Sequence, residues 1–212
     1  MRTILFQGDS ITDCGRNTHC GSMVSIGQGY AGLVCAELSY RRPHEYEIIN
    51  RGISGNRIVD VYSRIKADGW NLNPDIFSIL IGVNDVWHEI AEQNGVDAER
   101  YEKIYRMLVS DTITRFPDIK ILILEPFVLK SEATAEKWDE FKSEVSLRAA
   151  AAKRVADEYG LIFVPLQERF DRAEESTGDT AYWLADGVHP TPAGHKLIAN
   201  AWLEAFDSFI GD

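Results

Sequence analysis

The chain has 212 residues, of which 45% are hydrophobic and 26% are charged, a composition typical of a soluble globular protein. A single hydrophobic core can serve a chain of this length, so we expect one domain spanning residues 1–212 that requires neither disulfides nor metals for stability. The formal net charge of −11 disfavours nonspecific binding to nucleic acid or to anionic membranes, because like charges repel each other.

Short apolar segments alternate with helical patterns along the whole chain. Segments rich in Ile, Leu, Val and Phe predict five strands, at 3–7, 46–50, 76–81, 119–125 and 161–165. The remaining patterns predict helices at 30–38, 58–67, 98–115, 137–159 and 192–209. Near-continuous apolar strands are typical of a parallel sheet covered by helices on both faces. We therefore predict an α/β fold, a three-layer α/β/α sandwich with a five-stranded parallel sheet in the flavodoxin-like order 2-1-3-4-5.

The cysteines and the N-terminus indicate a reduced, cytoplasmic protein. Cys14, Cys20 and Cys35 are an odd number without Cys-x-x-Cys spacing, so we expect free thiols. His19 lies beside Cys20, but no second Cys/His pair follows, so we expect no metal site. The N-terminal residues enter a strand without the apolar segment of a signal peptide, and no segment approaches the ~18–20 apolar residues of a membrane span.

Three polar or glycine positions follow three of the predicted strands. Ser10 follows the first strand, Gly55 the second and Asn84 the third. In the predicted strand order, the carboxyl ends of the first and third strands flank the switch point at which such sheets bind ligands. We therefore expect these three sequence-distant residues to converge at one edge of the sheet.

Ser10 is a candidate nucleophile, provided that a base can remove its hydroxyl proton. Gly8 permits a tight turn between the strand and the serine, and Asp9 is expected to stabilise that turn by accepting hydrogen bonds from local amides. The alternative interpretation is that Ser10 is only the N-cap of a helix.

His189 is the candidate base among five histidines. It precedes Pro190, which favours an extended loop conformation over a helix. Asp186, three residues earlier, can accept a hydrogen bond from Nδ1–H and leave Nε2 facing Ser10. The pattern therefore predicts a triad of Ser10, His189 and Asp186.

Gly55 and Asn84 are candidates for stabilising the oxyanion of a tetrahedral intermediate, which requires preorganised hydrogen-bond donors. The segment 50–56 offers a glycine amide that can approach a ligand without a Cβ in the way. The segment 82–85 presents a carboxamide donor after a buried strand. The alternative interpretations are a turn glycine and an Asx turn before a helix.

Four blocks together resemble the SGNH, or GDSL, family of serine esterases and lipases. They are Gly8-Asp9-Ser10-Ile11-Thr12, Asn50-Arg51-Gly52-Ile53-Ser54-Gly55, Gly82-Val83-Asn84-Asp85 and Asp186-Gly187-Val188-His189-Pro190. The resemblance implies Ser10 as nucleophile, His189 as base and Asp186 as its orienting partner. It also implies an oxyanion hole of the Ser10 amide, the Gly55 amide and the Asn84 side chain, a three-layer sandwich fold, and no metal or other cofactor. Gly-x-Ser-x-Gly is absent, which excludes the nucleophile elbow of α/β-hydrolases.

The residues around these blocks look like those of intracellular acetyl-xylan esterases, which remove acetyl groups from xylo-oligosaccharides. Trp87 and Trp183 flank catalytic blocks, and a flat indole can stack on a sugar while an acidic side chain binds hydroxyls. Asp9, Trp87 and Trp183 are therefore the predicted substrate-binding residues. The alternatives are that both tryptophans are core residues, or that Trp87 limits a small acyl pocket.

The sequence therefore predicts a serine carboxylic-ester hydrolase that deacetylates sugars. We expect a small acetylated carbohydrate as its substrate and no nucleic-acid or membrane partner; the acidic surface allows a monomer or a homo-oligomer. Three alternatives stay open: a lysophospholipase or thioesterase acting on longer acyl chains, a non-catalytic carbohydrate-binding protein, and a flavodoxin-type nucleotide or FMN binder. The last is disfavoured because an acidic Asp9 in the first loop suits phosphate poorly.

Overall fold

A parallel sheet lies at the centre of the computed structural model, which describes residues 1–17 and 25–210. Its strands are β1 (Arg2–Gly8), β2 (Tyr46–Asn50), β3 (Ile76–Leu80), β4 (Lys120–Leu124) and β5 (Ile162–Val164). They are arranged in the order β2-β1-β3-β4-β5, and every neighbouring pair is parallel. The predicted fold class and strand order are therefore confirmed.

The strand register brings the carboxyl ends of β1, β2 and β3 together. Phe6 pairs with Asn50 on β2, and Gly8 pairs with Leu80 on β3. The residues that follow these three strands therefore emerge side by side at one edge of the sheet.

The helices agree with the predicted ones within about three residues at either end, and the described residues contain four more that were not predicted. They are α1 (Ser10–Asp13), α2 (Tyr30–Arg41), α3 (Ile58–Asp68), α4 (Val83–Glu92), α5 (Ala98–Arg115), α6 (Trp138–Tyr159), α7 (Gln167–Thr177), α8 (Thr180–Trp183) and α9 (Pro192–Ile210). The unpredicted helices are α1, α4, α7 and α8.

Two hydrophobic clusters lie on opposite faces of the sheet because successive strand residues point to opposite sides. Ile4 and Phe6 belong to the cluster under α2 and α9, where the rings of Phe6 and Trp202 are 5.3 Å apart. Leu5, between them, belongs to the cluster under α3 and α5, which includes Tyr105. Covering both faces buries all five residues of β3, as expected for a central parallel strand.

Cys14 and Cys35 are free thiols, whereas Cys20 and its neighbour His19 lie outside the described residues. Within the described ranges, no helix combines the length and the apolar character that crossing a membrane requires.

Candidate active site

Ser10 begins α1, directly after a tight turn at the end of β1. Gly8 has φ +154°, and a Cβ at this position would lie 2.3 Å from the carbonyl oxygen of Leu80, so a larger residue would push β1 and β3 apart. Asp9 is the N-cap of α1: its Oδ1 accepts a hydrogen bond of 2.9 Å from the Ile11 amide. The predicted bond from Asp9 to local amides is confirmed. Because Asp9 is the cap, the hydroxyl of Ser10 is not used for capping.

Ser10, His189 and Asp186 form a continuous chain of hydrogen bonds. Ser10 Oγ lies 2.9 Å from His189 Nε2, and His189 Nδ1 lies 2.6 Å from Asp186 Oδ2. The other oxygen of Asp186 accepts hydrogen bonds from the amides of Val188 and His189, at 2.9 and 2.8 Å. Gly187 allows this tight loop with φ +98°. The imidazole is therefore held in one orientation with Nε2 facing the serine.

The pKa values of Asp186 and His189 follow from this geometry. Partial burial alone would raise the pKa of Asp186, but the hydrogen bonds from His189 and from the local amides outweigh it and lower this pKa to about 2. The hydrogen bond to Asp186 in turn raises the pKa of His189 above its ordinary value, against the opposing effect of burial. Asp186 is therefore ionised at neutral pH and makes the imidazole a stronger base.

Gly55 and Asn84 lie in the loops that follow β2 and β3. Gly55 has φ +82°, and its amide donates to no acceptor in the described part of the chain. Asn84 is in the first turn of α4 and is 7% exposed. Its Nδ2 donates one hydrogen bond to the carbonyl oxygen of Asn56, at 3.2 Å, so a carboxamide with two N–H groups has a second hydrogen left for a ligand.

A buried asparagine ties the loop after β2 to α1. Asn50 Nδ2 donates to the carbonyl oxygens of Thr12 and Ile26, at 2.6 and 2.8 Å, and its Oδ1 accepts from the Gly52 amide at 2.9 Å. A Cβ on Gly52 would lie 2.5 Å from the Asp13 amide nitrogen, so only glycine permits this approach. The loop that carries Gly55 is thereby positioned relative to the helix that carries Ser10.

A model of the GDSL-like lipase/acylhydrolase family matches residues 6–197, which include Ser10, Gly55, Asn84, Asp186 and His189. This chain belongs to that family. It is 34% identical over 209 residues to an acetylxylan esterase of Geobacillus stearothermophilus, covering 94% of this chain and 91% of the relative. It is therefore a GDSL-type carboxylic-ester hydrolase.

Solved structures of the GDSL family have the same fold. A crystal structure of the Geobacillus stearothermophilus acetylxylan esterase superimposes with a TM-score of 0.85 at 32% identity, covering 96% of this chain and 93% of that chain. A protein from Parabacteroides merdae described as a GDSL-like lipase superimposes with a TM-score of 0.90 at 38% identity, covering 96% and 94% of the two chains.

Asp9 does not line the site of this GDSL esterase, contrary to the prediction that it binds substrate. Its side chain is 1% exposed, so no substrate hydroxyl can reach it without displacing α1. Burial raises the pKa of Asp9 to about 7, although the hydrogen bond from Ile11 and the nearby His189 act in the other direction. Asp9 therefore stabilises the turn as the N-cap of α1 and offers almost no accessible surface to a ligand.

The two predicted substrate-binding tryptophans have different surroundings. The Trp87 ring on α4 lies 5.8 Å from the His189 ring and packs edge-on against Phe141 at 5.9 Å. The Trp183 indole instead donates a hydrogen bond of 3.0 Å to Thr177 Oγ1 at the end of α7. Both rings are partly buried against the core. Only Trp87 has a ring contact with a triad residue among the residues described.

His195 was predicted only as a helical residue, and the structure places it beside the triad. It is 4% exposed; its Nδ1 accepts from the Tyr30 amide at 3.1 Å, and its Nε2 lies 3.2 Å from Cys14 Sγ. Burial, and then the positive charge of His189, lower the pKa of His195 to about 4. His195 is therefore neutral when the enzyme is at neutral pH. No sequence signal distinguished it from a surface helical histidine, because its partners are a backbone amide and a thiol 165 or more positions away.

Proposed function

We propose that this esterase removes acetyl groups from xylo-oligosaccharides or other sugars through an acyl-enzyme on Ser10. The observation that carries the proposal is the chain of hydrogen bonds from Ser10 through His189 to Asp186. The similarity to an acetylxylan esterase over nearly the full chain supports an acetylated sugar as substrate.

The proposed reaction assigns a role to each group of the site. As Ser10 Oγ attacks the acetyl carbonyl carbon, His189 Nε2 accepts the hydroxyl proton and the carbonyl oxygen becomes an oxyanion. The amides of Ser10 and Gly55 and the side chain of Asn84 donate hydrogen bonds to that oxyanion. When the intermediate collapses, the C–O bond to the sugar breaks and His189 gives its proton to the departing sugar oxygen.

Deacylation repeats these steps with water. His189, now neutral, accepts a proton from the attacking water. The oxygen of that water forms a bond to the carbonyl carbon of the acetyl group attached to Ser10 Oγ. The second oxyanion collapses, the bond to Ser10 Oγ breaks, and the proton on His189 returns to the serine. Acetate and free enzyme result, and no cofactor enters either half of the reaction.

The surroundings of Trp87 favour a substrate with a short acyl group. It lies on the same helix as Asn84, three residues later, and its ring packs against the rings of His189 and Phe141. Because these two contacts restrain the indole, it cannot easily move aside to make room for a long acyl chain next to the reacting carbonyl. We infer that Trp87 admits an acetyl group and obstructs a long chain.

The proposal is tested by measuring acetate release from peracetylated xylose and acetylated xylo-oligosaccharides, together with p-nitrophenyl esters from acetate to octanoate. We expect acetate to be the best ester, with kcat/KM lower for octanoate by at least about tenfold. A preference for octanoate would instead indicate the lysophospholipase or thioesterase class.

Ser10→Ala identifies the nucleophile, with Ser146→Ala as the matched control because Ser146 is an exposed serine on α6. Ser10→Ala should remove turnover and labelling by a fluorophosphonate probe, while Ser146→Ala should keep both. The wild type could instead bind xylo-oligosaccharide without hydrolysing it and without reacting with the fluorophosphonate probe. That result would indicate a non-catalytic carbohydrate-binding protein.

A further inference from the structure

The guanidinium of Arg64 on α3 contacts one side-chain oxygen and two main-chain carbonyl oxygens at the edge of the sheet. Its Nε donates to Asn56 Oδ1 at 2.7 Å, one terminal nitrogen donates to the Arg51 carbonyl oxygen at 2.9 Å, and the other lies 3.4 Å from the Gly8 carbonyl oxygen. Its side chain is 14% exposed. The planar guanidinium has five N–H donors in a rigid arrangement, so it can hold several acceptors at fixed separations.

These acceptors belong to the segments that carry the proposed oxyanion donors. Gly8 is two residues before Ser10, and Arg51 and Asn56 lie on either side of Gly55 in the loop after β2. The carbonyl oxygen of Asn56 accepts from Asn84 Nδ2 at 3.2 Å. One side chain therefore connects the ends of β1 and β2 directly, and reaches the end of β3 through Asn56.

The loop after β2 packs closely against α1 at Gly52 but not at Gly55. A Cβ on Gly55 would meet no atom within 4 Å, so the surrounding residues do not press on the loop at this position. On its Ser10 side the loop is tied by Asn50 and by Ser54, whose amide and hydroxyl donate to Asp13 Oδ2 at 3.2 and 3.0 Å. Around Gly55 itself the conformation depends on the hydrogen bond from Asn56 N to the Ile53 carbonyl oxygen, at 3.1 Å, and on the two contacts from Arg64. Because a displacement of about 1 Å at a catalytic group can lower the rate about a hundredfold, the position of this loop matters to the reaction.

We propose that Arg64 is a positioning residue that sets the separation of the Ser10 amide, the Gly55 amide and the Asn84 carboxamide, and so completes the oxyanion hole. The proposal rests on the proposed function, because it assumes that these three groups receive the oxyanion. Arg64 itself does not contact the substrate; it acts through Gly8, Arg51 and Asn56.

The test compares Arg64→Lys and Arg64→Ala with two control variants. Lysine keeps the positive charge, but a single ammonium cannot reproduce the planar arrangement of donors. Asp68→Asn removes the ion pair of 3.3 Å that Arg64 forms within its own helix and leaves the other acceptors in place. Lys66→Ala changes an exposed cation on the same helix.

We expect kcat for p-nitrophenyl acetate, normalised to folded enzyme, to fall about 10- to 100-fold in both Arg64 variants, while KM changes less than about threefold. Inhibition by a small alkylboronic acid, whose adduct with the serine is tetrahedral, should weaken by a similar factor. Both control variants should retain wild-type kcat.

Wild-type kcat in folded Arg64→Lys would overturn the inference, and so would a decrease that occurs only in proportion to lost folded protein. An equal decrease in Asp68→Asn would also overturn it, because the ion pair within α3 would then be the important contact. These outcomes leave the proposed function standing as long as Ser10→Ala is inactive. Turnover by Ser10→Ala would instead contradict the proposed function itself.

Discussion

Ser10 Oγ lies 2.9 Å from Nε2 of His189, although 179 positions of sequence separate the two residues. The contact forms because α1 follows β1 while the loop that carries His189 leads into α9, and α9 packs with α2 on one face of the sheet. The segment before α6 also holds this loop: the Leu129 and Ala133 amides donate to the carbonyl oxygens of Gly187 and Asp186, at 2.9 and 3.1 Å. The position of the imidazole is therefore set by the packing of α9 and by hydrogen bonds to the loop that carries His189.

Asp186→Asn should lower kcat by a factor on the order of 10⁴, because an amide no longer favours the histidine tautomer with its proton on Nδ1. It should also change the pH dependence of kcat/KM. In the wild type, activity should fall as pH drops through a His189 pKa above about 6.5, since only the neutral imidazole accepts the serine proton. Loss of the Asp186 hydrogen bond should move this inflection to lower pH.

Steady-state kinetics between pH 5 and pH 9 check both parts of this prediction, with Asp139→Asn on the exposed first turn of α6 as control. An unchanged inflection in Asp186→Asn would mean that the hydrogen bond does not set the basicity of His189.

Asn84→Ala should lower kcat about 10²- to 10³-fold with little change in KM, because the carboxamide would stabilise the oxyanion more than the bound ester. Asn84→Asp keeps the shape but replaces the donor by a carboxylate, so its kcat should be at least as low. The two variants are compared on p-nitrophenyl acetate, with folding checked by thermal unfolding. Near-wild-type turnover in Asn84→Asp would exclude a donor role.

Trp87→Ala should raise the ratio of octanoate to acetate turnover by about tenfold or more, because it removes the ring that packs against His189 and Phe141. Trp183→Ala should leave this ratio unchanged, because its indole is hydrogen-bonded to Thr177. If Trp183 binds the sugar, as the sequence predicts, its loss should raise KM for acetylated xylo-oligosaccharides. Kinetics on the two ester series separate these effects, and an unchanged acyl ratio in Trp87→Ala would exclude the proposed limit on chain length.

Asp9→Asn should make the protein more stable than the wild type at alkaline pH. Burial raises the pKa of Asp9 from 3.8 to about 7, so the folded state binds the proton more tightly than the unfolded chain. The wild type therefore loses stability as pH rises from about 4 through 7, and the variant does not incur this loss. Between pH 5 and pH 9, the free energy of unfolding of the variant should gain about 2–3 kcal/mol relative to the wild type.

Urea unfolding of both proteins at pH 5 and pH 9 measures this difference. Asparagine retains the oxygen that accepts from the Ile11 amide, so the N-cap of α1 should persist. Parallel pH dependences of the two proteins would show that Asp9 does not titrate in this range.

The sequence predicted the strands well and the shorter helices poorly. The strands β1 to β5 were predicted because each is a compact apolar segment bounded by polar or turn residues. Helix α4 was not predicted, although Val83, Val86, Trp87 and Ile90 follow the i, i+3, i+4, i+7 spacing of a helix with one apolar face. In α7, Phe170 is the only buried residue, so its sequence carries almost no periodic signal.

The sequence alone predicted which side chains would react, because a nucleophile, a base and its orienting carboxylate each require a particular residue type in a recognisable block. Their separations, the burial of Asp9 and the contacts of Arg64 were decided by the tertiary structure. Arg64 illustrates the reason: two of its acceptors are main-chain carbonyl oxygens, which every residue possesses, so nothing in the sequence distinguishes them. Only the packing of α3 beside the ends of β1 and β2 brings them within reach of one guanidinium.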